Sequence, residues 1–101
     1  MKYSLTEKLN FNDSPIIEIK GKEITVQSDA ETVLKLLDII QTKGETQAAI
    51  EASKLLFVEK DQKTIRSLKL SFADYTTLIA TAISLALGED PDEEDTTQGE
   101  E

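Results

Sequence analysis

The apolar side chains of this chain stop at Leu87. From Gly88 to Glu101 no side chain is aliphatic or aromatic, Pro91 aside. A stretch of that kind has no surface to bury against the entropy of ordering, so it is expected to stay disordered. Any fold must therefore be assembled from residues 1–88. Domains of this size bury roughly 60–65% of the surface that the unfolded chain exposes, so the core is small.

Charge is segregated at the same boundary. Of the 20 acidic residues, eight lie in residues 89–101, where no base occurs; the remaining twelve face all 11 Lys and Arg in residues 1–88. The body is thus close to neutral and the acidity belongs to the C-terminal tail. No basic cluster is dense enough to displace counterions from nucleic acid, so nucleic acid is not an expected partner. The chain contains no His and no Cys. Without them, catalytic triads, thiol nucleophiles and imidazole or thiolate zinc sites are all excluded. Carboxylates, Lys, Tyr and Ser remain, but no pair of acids demands a shared pocket, and no enzyme activity, cofactor or metal is expected. Met1 to Asn10 lacks the apolar core of a signal peptide. The 16 residues from Phe72 to Leu87 are too short and too polar for a bilayer span. No membrane association is expected, and the location read from the sequence is cytoplasmic.

The fold class expected is α+β: a short N-terminal antiparallel β segment, then a bundle of about four helices, as one globular domain over residues 1–88. Tyr3, Leu5, Leu9 and Phe11 share one parity and suggest a first strand over Lys2–Phe11. Asn12-Asp13-Ser14-Pro15 is a turn signal. Ile16–Lys20 and Glu23–Gln27 then predict a hairpin around Gly21-Lys22, a loop whose leading Gly suits type II′. Ser28 with Glu31 is a capping-box pattern for a first helix over roughly 29–42, carrying Val33, Leu34, Leu36, Leu37, Ile39 and Ile40 and stopped by Gly44. Thr46 is expected to cap a second helix running to about Val58, Asp61 a short third one, and Ser71 a fourth. In the fourth, Phe72, Tyr75, Leu78, Ile79, Ala82, Ile83 and Ala86 recur at spacings of three and four, the mark of a buried stripe, and Gly88 ends it.

Few residues ask for chemistry. Asp90, Asp92 and Glu94 alternate as in a calcium loop, with Glu101 twelfth, but Asp95 stands where the sharp turn needs Gly and no helix follows. A solvated tail is the simpler reading, ahead of a docking role or mimicry of DNA phosphates. Lys60, Lys63, Arg66 and Lys69 put the chain's one cationic patch on one side of the third helix. That is ordinarily a solvated face, and it is also able to receive an acidic tail from a neighbouring copy. Tyr75 reads as a core residue with a wet hydroxyl. The first two helices carry more apolar positions than one face can hide. The candidate partner-binding residues are Leu36 and Ile40 on the first helix, Leu55 and Phe57 on the second, and Tyr75 on the last.

Residues 67–91, Ser-Leu-Lys-Leu-Ser-Phe-Ala-Asp-Tyr-Thr-Thr-Leu-Ile-Ala-Thr-Ala-Ile-Ser-Leu-Ala-Leu-Gly-Glu-Asp-Pro, resemble the end of tail assembly chaperones from long-tailed bacteriophages of Gram-positive hosts. The likeness covers residues 8–91 in layout and 67–91 in wording. It implies a non-catalytic protein that coats the tape-measure protein, keeps it soluble, helps recruit tail tube protein, works in the host cytoplasm and leaves before the virion matures. A coat of many copies implies homo-oligomers at high concentration. The family fixes no catalytic residue, so none is carried over. The alternative from the residues alone is a small acidic regulatory or inhibitor protein, antitoxin-like or directed at a host enzyme.

Overall fold

The computed structural model describes residues 1, 2, 4, 5 and 14–89. Its elements are β1 (Ile16–Ile19), β2 (Lys22–Thr25), α1 (Ala30–Thr42), α2 (Glu45–Leu56), α3 (Glu59–Leu68) and α4 (Phe72–Ala86). The chain is α+β, a two-stranded antiparallel hairpin followed by four helices. The strand expected over Lys2–Phe11 lies largely outside the described residues, and Met1, Lys2, Ser4 and Leu5 have no regular structure. The acidic stretch from Asp90 onward also lies outside them.

The hairpin forms, but its turn sits one residue earlier than the sequence suggests. Ile19 pairs with Lys22 and Ile17 with Ile24, leaving Lys20-Gly21 as the loop. Both residues have positive φ, 51° and 79°. That is the requirement of a type I′ turn, whereas type II′ needs it only at the first position. The I′ twist suits the strands well enough that Lys20 accepts the left-handed region, normally disfavoured for a residue with a Cβ. Alternation along β2 continues past the strand and places Ile24 and Val26 in the core, each fully buried.

Helix boundaries follow local chemistry, with three corrections to the expected caps. Asp29, not Ser28, caps α1: its carboxylate accepts from the Thr32 amide at 3.3 Å and from the Thr32 hydroxyl at 2.7 Å. A carboxylate holding both groups leaves no role for the Ser28–Glu31 box. Gly44 does not end α1 in a left-handed turn; it lies at φ −66° as the N-cap of α2, and Thr46 falls inside that helix. Asp61 lies in the first turn of α3, whose N-cap is Val58. Two expectations hold. Ser71 caps α4 by accepting from the Asp74 amide at 3.1 Å. Gly88, at φ 85°, ends it: the Gly88 amide donates to the Leu85 carbonyl at 3.0 Å and the Glu89 amide to the Ser84 carbonyl at 2.8 Å, the two bonds of a Schellman motif.

α2 is the central helix, packed against α1, α4 and α3. Its Ala52 and Leu56, with Phe57 just beyond, meet Ile24 and Val26 from the hairpin, Leu36 from α1, Ile65 from α3, and Leu78, Ile79, Ala82 and Ala86 from α4. The backbone joins the layers too, the Gln27 amide donating to the Leu56 carbonyl at 2.8 Å. Along the stripe of α4, Leu78, Ile79, Ala82 and Ala86 are buried and Tyr75 and Ile83 half-buried. Phe72, in the first turn of the helix, is 84% exposed.

Candidate partner-binding surface

α1 is the helix least covered by the fold. Its sequence offers six large aliphatic residues, yet Leu36 alone is fully buried, with Val33 packed beside it on the core. Leu37 and Ile39 are half-buried. Leu34 remains 66% and Ile40 43% exposed. The cause is geometric. Positions 33, 34, 36, 37, 39 and 40 spread over well over half of a helical wheel at 3.6 residues per turn, while α1 has only α2 as a close helical neighbour. One packed side cannot cover that arc. On α2, Ile50 is exposed in the same way, at 42%.

Between α1 and α2 runs an open groove of about 750 Å³. Its aliphatic lining is Leu34 and Ile39 from α1 and Leu55 from α2; Glu31, Lys35, Asp38, Glu51 and Lys54 stand around them. Two exposed ion pairs decorate this side, Lys35–Glu31 and Lys43–Glu51, each at 3.9 Å. Pairs of that length at the surface contribute about 0–1 kcal/mol, so they are easily exchanged for contacts with another chain. The arrangement suits an amphipathic helical segment, which lays an apolar stripe into such a groove and meets the charged borders with its polar flanks. At the head of α1, the Thr32 hydroxyl and amide hold the Asp29 carboxyl below the usual carboxylate range.

The five residues chosen from sequence are divided by the fold. Leu36 and Phe57 are core side chains, at most 1% exposed, and present no surface in this conformation. Ile40 is at the surface of α1, and Leu55 lines the groove. Tyr75 is half-buried and lies on a different cleft, of about 80 Å³, with Ser53, Lys54, Phe57, Gln62, Ile65 and Arg66. The structure therefore brings Leu55 to α1 and separates Tyr75 from both. Leu34, which completes the groove, belongs to the same apolar series as Leu36; only its side of the wheel, next to Glu31, Lys35 and Asp38, marks it as outward. Among the described residues no cluster of three or more carboxylates is placed to hold a metal ion, and no helix is long and apolar enough to cross a membrane. The calcium-loop pattern of residues 90–101 lies outside the described residues. Comparison with protein-family models, curated proteins and solved structures finds no match.

Proposed function

We propose that this chain is a non-catalytic tail assembly chaperone of a long-tailed bacteriophage, which binds the tape-measure protein through the α1–α2 surface and keeps it soluble while the tube assembles. The observation that carries the reading is the incomplete cover of α1. A neutral body that leaves Leu34 and Ile40 at the surface beside an open aliphatic groove is built for reversible association with an extended helical partner. Exposed apolar patches of this kind mark interaction sites in soluble proteins. The strong net negative charge of the chain, −9, keeps such a surface from aggregating. The wording of residues 67–91 directs the choice among partners toward the tape-measure protein, with tail tube protein as a second contact. The mode is transient coating in the host cytoplasm.

The experiment is co-expression with a candidate phage tape-measure protein. The reading expects the long helical protein to become soluble and to co-purify with this chain. A tape-measure protein that stays insoluble at equal expression, with this chain folded and abundant, overturns it.

A further inference from the structure

The cationic side of α3 is the strongest charged feature that the proposed partner surface does not use. Lys60, Lys63 and Arg66 are all exposed and follow one another at spacings of three. Residues three apart on a helix are surface neighbours with about 5–6 Å between their Cβ atoms, so the three form one row about 9 Å long. Lys69 extends it from the C-cap of the helix, where its positive φ of 51° turns the chain. Lys54 of α2 joins from the side, because it and Arg66 border the same small cleft over Phe57 and Ile65. None of these five cations makes an ion pair among the described residues. The carboxylates on α3 form no ion pair with them among the described residues: Asp61 is turned inward and 8% exposed, which leaves Glu59 as the one exposed acid of the first turn.

The same chain carries the matching anion. Residues 89–95 read Glu-Asp-Pro-Asp-Glu-Glu-Asp, six acids in seven positions. We propose that the α3 row, with Lys54, is the docking surface for this acidic stretch of the same molecule. Reach permits it. α3 is joined to α4 by Lys69, Leu70 and Ser71, so the end of α3 lies no farther from Gly88 than the length of α4, about 22 Å, plus that short link. Residues 89–95 span up to about 23 Å when extended, about the length of α4 itself. A segment tethered by so few residues meets its site at an effective concentration on the order of millimolar, which favours its own row over that of another copy. The contact is electrostatic and sits at the surface, so salt governs it: the screening length is about 10 Å at 0.1 M and about 3 Å at 1 M. This inference does not depend on the chaperone reading; the two surfaces meet at Lys54 and otherwise use different residues.

The chain has no Cys, so Thr97→Cys in the full-length protein gives one attachment point for a nitroxide label. Paramagnetic broadening of backbone amides is then read across the whole domain. At low salt the amides of Lys60–Lys69 lose intensity. The loss disappears at 1 M NaCl, and it disappears in the Lys60→Gln, Lys63→Gln, Arg66→Gln triple variant. It is absent when unlabelled isotope-enriched chain is mixed with labelled chain lacking the isotope. Amides of α3 that keep full intensity at low salt overturn the proposal. So does equal broadening in the mixed sample, which assigns the contact to a second copy, and so does broadening that survives 1 M NaCl.

Discussion

The backbone amide of Thr25 donates to Oδ2 of Asp61 at 3.0 Å, tying the hairpin to α3 across 36 residues of sequence. The next amide along, Val26, donates to the Pro15 carbonyl at 2.8 Å, toward the β1 side. Successive amides of an extended strand point to opposite sides, so the Thr25 amide faces away from β1, at the open edge of the sheet. An unpaired edge donor is a liability both to stability and to unwanted pairing. Here a carboxylate from the first turn of α3, itself favoured by the positive end of the helix dipole, closes the edge.

Asp61→Ala is therefore expected to destabilise the domain by about 1–2 kcal/mol, the lower part of the range for stranding a donor, since this bond is part-buried. Asp61→Asn keeps an acceptor and loses less. Urea denaturation measures both, and hydrogen exchange at the Thr25 amide should accelerate in the Ala variant. An Ala variant as stable as the parent, with the Thr25 amide still protected, would show that the tie carries no weight.

Lys20 pays for the hairpin turn with its left-handed backbone at φ 51°. Asn tolerates this region better because its short side chain bonds locally, and Asn-Gly is the preferred type I′ pair. Lys20→Asn should raise stability by about 0.5–1 kcal/mol, the scale of substitutions that relieve or pre-set backbone conformation. A drop in the denaturation midpoint would contradict the type I′ assignment.

The α4 stripe offers a contrast within one helix. Ile79 is 4% exposed in the core, whereas Phe72 is 84% exposed. Ile79→Ala should cost about 2–4 kcal/mol. Phe72→Ala should change stability by no more than about 0.5 kcal/mol, as surface substitutions do, although deleting a whole ring from a core would cost more than trimming Ile79. Ile83, half-buried at the margin, falls between them. Equal losses at 72 and 79 would mean that the start of α4 is covered in solution.

These cases also show how much was legible in the residues. Spacing of three and four places Leu78, Ile79, Ala82 and Ala86 inside, since a helix can bury only one such row. The α+β order, the four helices, and the Ser71 and Gly88 ends of α4 are all local signals. The role of Asp61 was not: an Asp ahead of Ile65 and Leu68 looks like a helix cap, and only the fold brings Thr25 to it. Phe72 fits the stripe by number yet stays at the surface, 84% exposed. The same limit applies to the partner surface. The excess of apolar positions on α1 is readable, but which of them are left over depends on where α2 lies, and so Leu36 went inside while Leu34 stayed out.

Asp29 makes the head of α1 sensitive to acid. Its two bonds to Thr32 favour the charged form and lower its pKa in the folded chain. A group whose pKa is depressed on folding contributes its stability above its unfolded pKa and loses it as pH falls through the folded one. Protection of the first-turn amides of α1, Thr32 above all, should fall away below the ordinary carboxylate range. Asp29→Asn, a good neutral cap, should flatten that pH response. An unchanged acid profile in the Asn variant would assign the loss to other carboxylates.

The partner surface is tested by separating exposure from folding. Leu34 and Ile40 are exposed, at 66% and 43%, and Leu34 lies three residues after Glu31 and four before Asp38. A Lys at position 34 meets carboxylates on both sides, a spacing that supports a helix by a few tenths of a kcal/mol. Leu34→Lys with Ile40→Lys should thus leave the denaturation midpoint close to the parent's. It puts two charges where an apolar helix stripe would have to lie, and a buried unpaired charge opposes binding strongly. The expected result is a folded chain that no longer keeps the tape-measure protein soluble in co-expression. A full-length chain with Asp92→Asn, Glu93→Gln, Glu94→Gln and Asp95→Asn is the necessary counterpart, because it removes acidity and leaves α1 alone. If the acid-neutralised chain loses the partner while the Lys pair retains it, recognition lies in the acidic stretch and the α1–α2 surface is not the binding site. If the Lys pair loses it while the neutralised chain still holds it, the apolar face left open by α2 is what the partner recognises.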